Sequence, residues 1–167
     1  MKKMKLSHKS HTHSSHCCTD SFTEVCLNEL KNMGLRVTDP RRAVIDCLAS
    51  ATVPMSPKAI HESVSLLNNV KGSDQVSVYR TLETLRSLGL IHQVFPDGHF
   101  VRCHEAPHPK APHILMSCEK CGKTFESQIN PEGLDLLLAQ ALKDAAFVAD
   151  RYILQVTGHC IQCEKQA

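Results

Sequence analysis

Two Cys-x-x-Cys pairs carry the most definite chemistry in this chain: Cys118 and Cys121 in "SCEKCG", and Cys160 and Cys163 in "HCIQCE". A two-residue spacer in a tight turn lets both thiolates of a pair reach one ion. Two such pairs complete a closed tetrahedral shell, the pattern of a structural Zn2+ with no position left for a substrate. A redox dithiol needs one pair only, so the duplication favours metal over disulfide exchange. The total of nine cysteines is odd, and the paired spacing is not that of a disulfide framework.

A second constellation is dispersed. "LIHQVFPDGHFVRC" has two apolar-rich segments around Pro96-Asp97-Gly98 and reads as a β-hairpin. With a four-residue loop from Pro96 to His99, Phe95 would face Phe100 and His92 would fall opposite Cys103. His113 follows the proline-rich stretch "HEAPHPKAP", and Glu126 lies in a strand after the first cysteine pair. One thiolate, two imidazoles and one carboxylate make a borderline-soft set suited to zinc. Each residue also has a plainer reading alone: His92 as a surface histidine of the hairpin, Cys103 as a small core residue, Glu126 as a solvated charge.

The elements that would position these residues follow from periodicity. "TEVCLNELKNMG" sets Cys26, Leu30 and Met33 at i, i+4, i+7 and stops at Gly34, predicting a short amphipathic helix. In "VTDPRRAVIDCLAS", Thr38 is a candidate N-cap, Pro40 falls in the first turn, and Val44, Ile45 and Leu48 face inward. "MSPKAIHESVSLLNN" repeats this grammar with Ser56, Pro57 and the stripe Ile60, Val64, Leu67. "SVYRTLETLRSLG" buries Val78, Leu82 and Leu85 and turns Tyr79, Arg80 and Glu83 outward, with Gly89 as its stop. Four helices followed by a hairpin describe a winged helix-turn-helix. In that fold the head of the last helix before the wing enters the major groove, which makes Ser77, Tyr79 and Arg80 candidate DNA contacts and Arg41 a candidate phosphate contact. An ordinary solvated helix face explains Arg41 and Arg42 nearly as well.

The C-terminal part is shorter in helix and richer in strand. Asn130 and Pro131 open a helix with Leu134, Leu138, Ala141 and Leu142 on its apolar face, and "RYILQV" reads as a strand. The fold class expected is therefore α+β, with a winged helix-turn-helix domain followed by a small α/β domain that carries the structural zinc. The expected boundaries are a disordered His-rich tail at 1–20, the winged helix at 21–103, a hinge at 104–112 and the second domain at 113–167. In the tail, His8, His11, His13, His16, Cys17 and Cys18 could hold metal loosely, with disorder as the default. Cys26 and Cys47 lie on apolar helix faces and read as core.

The 167 residues suffice for one large domain or two small ones. The net charge of +2 does not announce a nucleic-acid binder, so such a claim rests on where individual arginines sit. The polar start "MKKMKLSHKSHTHSSHCC" has no apolar stretch of the kind a signal peptide carries, and no run of 18 apolar residues occurs. A soluble, cytoplasmic protein without membrane partners is expected. Neither G-x-S-x-G nor HExxH is present, which argues against an enzyme.

The motifs "GLRVTDPRRAVIDCL", "SVYRTLETLRSLGLI", "CEKCG" and "GHCIQC" resemble, in kind and order, those of the ferric uptake regulator family. The cysteine at position 103, with His92, His113 and Glu126, is similar to the zinc uptake regulators within it. The resemblance implies a C-terminal dimerisation domain, one structural and one regulatory Zn2+ per chain, and repression from an inverted-repeat DNA operator by a metal-loaded homodimer. It extends to control of zinc uptake genes. The alternatives are an iron- or peroxide-sensing member of the family, a metal-dependent enzyme or thiol oxidoreductase, and a zinc buffer built on the tail. A third family site, which would include His159, is poorly matched and is not assigned.

Overall fold

The computed structural model describes residues 15–67, 74–104, 106, 113–128, 131–149 and 154–165, with the backbone alone at 15–20, 113, 131, 132 and 135. Most of the expected hinge at 104–112 and the tail histidines His8, His11 and His13 lie outside the described residues. Its elements are α1 (Ser15–Asn32), α2 (Asp39–Ser50), α3 (Pro57–Ser65), α4 (Gln75–Ser87), β1 (Ile91–Val94), β2 (His99–Arg102), β3 (His113–Cys118), β4 (Thr124–Gln128), α5 (Pro131–Asp144), β5 (Leu154–Gly158) and α6 (Ile161–Glu164).

The helix starts follow the expected capping chemistry. Oγ1 of Thr38 accepts from the Arg41 N–H, and Oγ of Ser56 accepts from the Ala59 N–H, each satisfying a donor that the first turn leaves open. Asp74 does the same for α4, accepting from the Ser77 N–H at 2.6 Å. That helix thus begins before the segment read from its apolar stripe, and Ser77 is inside its first turn. Gly34 and Gly89 close α1 and α4 at φ +68° and +70°, the left-handed conformation that a side chain disfavours.

Two apolar positions and one boundary depart from expectation. Met33 and Leu67 are 61% and 51% exposed, because α1 and α3 end at Asn32 and Ser65, ahead of the residues that would have extended their stripes. Phe22 instead joins Cys26 and Leu30 on the buried face of α1. The N-terminal boundary moves too: α1 begins at Ser15, so helix occupies the last residues of the expected disordered tail, at the positions of Cys17 and Cys18.

These helices enclose the main core, in which Ile45, Leu48, Ile60, Val64, Val78, Leu82, Leu85 and Leu90 are fully shielded from solvent or nearly so. Fully burying such a side chain contributes roughly 1.5–3 kcal/mol, so this cluster fixes the helical unit. The β1–β2 hairpin leaves it as a wing, tied back by Met55, whose backbone exchanges two hydrogen bonds with Phe100.

The wing's register differs from the one expected. Ile91 pairs with Arg102, His92 with Val101, Gln93 with Phe100 and Val94 with His99. The turn therefore spans Phe95 to Gly98, where Gly98 at φ +69° donates its N–H to the Val94 carbonyl. Phe95 sits in the turn, 62% exposed, and does not face Phe100. The slip is by two residues, so every side chain keeps its face and His92 and Cys103 become diagonal neighbours on one side of the wing.

The second unit is a three-stranded sheet in the order β4-β3-β5, with β3 antiparallel to β4 and parallel to β5. Leu115 stands opposite Glu126 on β4 and Gln155 on β5. Residues in register share a face, so Glu126, Leu115 and Gln155 form one row across the sheet. Leu115 packs with Val94 and Val101 of the wing in a small separate cluster, which docks this row against the helical unit. No helix among the described residues is long and apolar enough to cross a membrane.

Candidate metal centres and nucleic-acid face

Cys118 ends β3, Gly122 closes the turn after it at φ +71°, and Cys160 precedes α6, which carries Cys163. β5 runs beside β3, with Gly158 against Cys118, so the two cysteine pairs meet at one end of the sheet. All four Sγ atoms lie within 4.8 Å of one another. The Cys121 and Cys160 sulfurs are 3.9 Å apart. A tetrahedral ion with metal–sulfur bonds of about 2.3 Å has edges of about 3.8 Å, so the spacing fits.

The protonation chemistry of these thiols also fits a cation. The Cys160 N–H donates to Sγ of Cys118 at 3.3 Å, and this bond, followed by one from the Cys121 backbone, pulls the Cys118 thiol down to about 6. Hydrogen bonding to the Cys160 thiol, then to that of Cys121, pushes Cys163 up to about 12. One thiolate is favoured, and its neighbour is held as a thiol chiefly by its hydrogen bonds, with the Cys118 charge a lesser contribution. A divalent ion removes that conflict.

The second constellation also converges. His92, Cys103 and Glu126 each offer a ligand atom within 4.8 Å of the others. Sγ of Cys103 is 3.4 Å from Oε2 of Glu126, which also accepts from the His104 N–H at 3.0 Å. Nε2 of His92 lies 3.7 Å from Oε1 of Glu126. The Glu126 side chain is only 3% exposed, and its Oε1 is buried without a hydrogen-bond partner. An unsatisfied buried carboxylate oxygen costs free energy that a cation would recover. The residues present therefore fit a metal ion.

His113, the fourth residue expected here, lies in β3 opposite Gln128, two positions from Leu115, and its side chain is outside the described residues. His159 lies on the surface, its Nε2 4.0 Å from a Glu119 oxygen and its Nδ1 3.6 Å from a Glu164 oxygen.

At the head of α4, Tyr79 is 46% exposed and Arg80 is exposed, while Ser77 is half-buried. Glu83 is engaged by Arg86 at 2.8 Å. Val76, 56% exposed beside them, adds apolar surface at the helix head. Arg41 is placed differently. Its Nη1 donates to the Arg36 carbonyl, which turns the guanidinium back onto the α1–α2 connection. Arg42 is 3.7 Å from Asp46 within its own helix.

Comparison with known proteins agrees with this architecture. The family model of the ferric uptake regulator family matches residues 32–154. A ferric uptake regulation protein of Bordetella parapertussis is 26% identical over 141 residues, covering 83% of this chain and 96% of that protein. Among solved structures, a zinc uptake regulator complexed with zinc and DNA superposes with a TM-score of 0.76 at 19% identity, over 89% of this chain and 96% of the other. The holo form of XcZur superposes with a TM-score of 0.72 at 26% identity, over 87% and 99%. The regulators so matched are not enzymes, and neither is this protein. A winged helix joined to a small α/β unit, two clusters of metal-ligating side chains and a family model matching most of the chain lead to one conclusion: the chain belongs to the ferric uptake regulator family, metal-responsive regulators of transcription.

Proposed function

We propose that this protein is a zinc-responsive transcriptional repressor that binds an inverted-repeat operator as a metal-loaded homodimer and controls zinc uptake genes. The observation that carries the metal is Cys103. It is a buried thiol facing Glu126 across the junction of the two units, where it adds sulfur to an N/O set. Soft thiolate in a mixed set favours zinc over the harder ions that carboxylate and imidazole alone accept. Cys118, Cys121, Cys160 and Cys163 would hold the structural ion, and His92, Cys103, His113 and Glu126 would hold the regulatory one.

Ligands drawn from both units would let a regulatory ion act by population shift. His92 and Cys103 belong to the wing and Glu126 to β4, so an ion bound by all of them stabilises one arrangement of the two units. In a dimer that arrangement sets the distance between two α4 helices and hence the half-site spacing that fits. Tyr79, Arg80 and Ser77 supply the contacts to DNA, and Arg41 contributes through the helix connection it braces.

The dimer is supported by the sheet's other face. Phe125, Met116 and Val156 form a row facing away from the wing, and Phe125 and Val156 are 42% and 50% exposed. Leu136 and Leu137 of α5 are each 73% exposed. Apolar surface of this extent in so small a unit is the kind a second copy covers.

The test is a titration of buffered free zinc while binding to a candidate inverted repeat is followed, repeated with ferrous iron and manganese. Zinc should raise operator affinity at the lowest free concentration. Equal or better response to ferrous iron would overturn the zinc reading and leave the family assignment standing.

A further inference from the structure

The wing is held to the second unit at both ends of one sheet row, and only one end is the metal cluster. At the other end Gln155 of β5 reaches the wing turn. Its Oε1 accepts from the Phe95 N–H at 2.9 Å and its Nε2 donates to the Phe95 carbonyl at 2.8 Å. A primary amide thus takes both backbone groups of one residue, as a neighbouring strand would. Between the two ends, Leu115 buries against Val94 and Val101.

We propose that Gln155 is a positioning residue, a metal-independent latch that sets how much of the protein already occupies the closed arrangement before the regulatory ion binds. The proposal rests on the reading of the His92 cluster as the regulatory site. Its logic is linkage. If the ion binds the closed arrangement, its apparent affinity scales with the fraction of protein already closed, and any contact formed only on closure raises that fraction. The Phe95 contact qualifies, since it joins residues 60 positions apart in different units and involves no cluster side chain. Metal sensitivity is then tuned at a position that touches neither metal nor DNA.

Its geometry also predicts which substitutions matter. Gln155→Leu keeps the size of the side chain and removes both hydrogen bonds. Gln155→Glu keeps an acceptor for the Phe95 N–H and sets a second oxygen against the Phe95 carbonyl, where a donor is required. The strand should tolerate both, because Gln155 is only half-buried.

The experiment compares full-length native protein with Gln155→Leu and Gln155→Glu, structural zinc retained and the regulatory ion removed by a mild chelator. Amide exchange at Phe95 reports the latch directly, and paired spin labels on α4 and β4 report the separation of the units. Both variants should show faster exchange at Phe95 and a broader, longer separation. The regulatory zinc affinity should fall by at least about three- to tenfold, the factor supplied by one hydrogen bond of ordinary net strength, since each variant loses at least one. Metal stoichiometry, and operator affinity at saturating zinc, should stay native. Native exchange, separation and zinc affinity in Gln155→Leu would overturn the proposal. His92→Ala serves as the control: if it leaves the metal response intact, the site assignment is what fails, whereas a latch failure already shows as native Phe95 exchange and native separation in the metal-free Gln155→Leu protein.

Discussion

The thiol of Cys103 lies 3.4 Å from Oε2 of Glu126, although the two residues belong to different units. The same oxygen accepts the His104 N–H, and Oε1 of that carboxylate is buried and unsatisfied 3.7 Å from His92. A carboxylate held in place by one backbone donor, with a thiol and an imidazole beside it, is preorganised for a cation. The four-cysteine cluster differs in where it sits, because all its residues lie within the second unit. An ion there can fix the sheet end and α6, but it cannot report the relation of that unit to the wing.

Replacing a cysteine of that cluster should therefore cost fold. Cys118→Ser removes the thiol that the Cys160 N–H and the neighbouring thiols organise. Binding of a structural zinc supplies folding free energy outright. The variant is expected to lose this zinc, to melt at a lower temperature and to dimerise weakly. Metal analysis with a melting curve and sedimentation checks it, and native values for all three would remove the staple.

The head of α4 gives the expected reader of DNA. Arg80→Ala should weaken operator binding while leaving metal content and dimerisation unchanged, since Arg80 is exposed and carries no core contact. If the guanidinium meets a phosphate, affinity drops on every sequence and the salt slope becomes shallower by about one. If it meets a base, discrimination at one position relaxes by about 1–3 kcal/mol. Binding measured at several salt concentrations on matched and mismatched sites separates the two.

How far all this was legible depends on the range of the interaction. Thr38 and Ser56 cap helices through bonds to residues three positions on, so their roles could be read in the local sequence. The cysteine pairs announced themselves by spacing, which coordination geometry dictates. The wing register was harder. A slip of two residues preserves the facing of every side chain, so the hydrophobic pattern alone cannot distinguish the two pairings, and the choice falls to the turn at Phe95–Gly98. Gln155 left no signal at all, because one polar residue in a strand binding a backbone in another unit obeys no period. The bracing of Arg41 by the Arg36 carbonyl is local yet equally silent, because a side chain folding back onto an irregular connection follows neither the helical nor the strand period.

Burial in the helical core predicts an alkaline limit to stability. Cys26 is fully buried, and desolvation pushes its thiol from 9.0 up to about 12. Below pH 9 the thiol is neutral in folded and unfolded chains alike, so its contribution is fully present. Between pH 9 and 12 the unfolded chain ionises while the folded one does not, and stability falls by up to about 1.4 kcal/mol per pH unit. Cys26→Ala should lower stability at neutral pH through the small cavity it leaves, yet lose less between pH 9 and 11 than the parent. Parallel pH dependences from denaturant melts would contradict this origin.

The sharpest separation of sensor from staple comes from Cys103→Ser. The substitution exchanges a thiol for a weaker, neutral ligand and leaves Cys118, Cys121, Cys160 and Cys163 untouched. It should remain a folded dimer with its structural zinc, because Cys103 touches Glu126 and not the sheet end where those four meet. The second, weaker zinc should be lost, and with it the zinc-dependent rise in operator affinity. Coupling in such switches is about 1–3 kcal/mol, so the ratio of zinc-bound to zinc-free affinity should fall from about 5–150-fold toward one. Cys103→Glu tests selectivity in addition: a carboxylate preserves an N/O site but reduces the preference for zinc over ferrous iron. It also sets a second carboxylate against that of Glu126, so the metal-free protein should open more readily than the parent. Measuring metal content, operator binding and metal-free unit separation on both variants distinguishes lost coordination from lost closure. A Cys103→Ser protein that kept full zinc-responsive operator binding would move the regulatory site away from the wing.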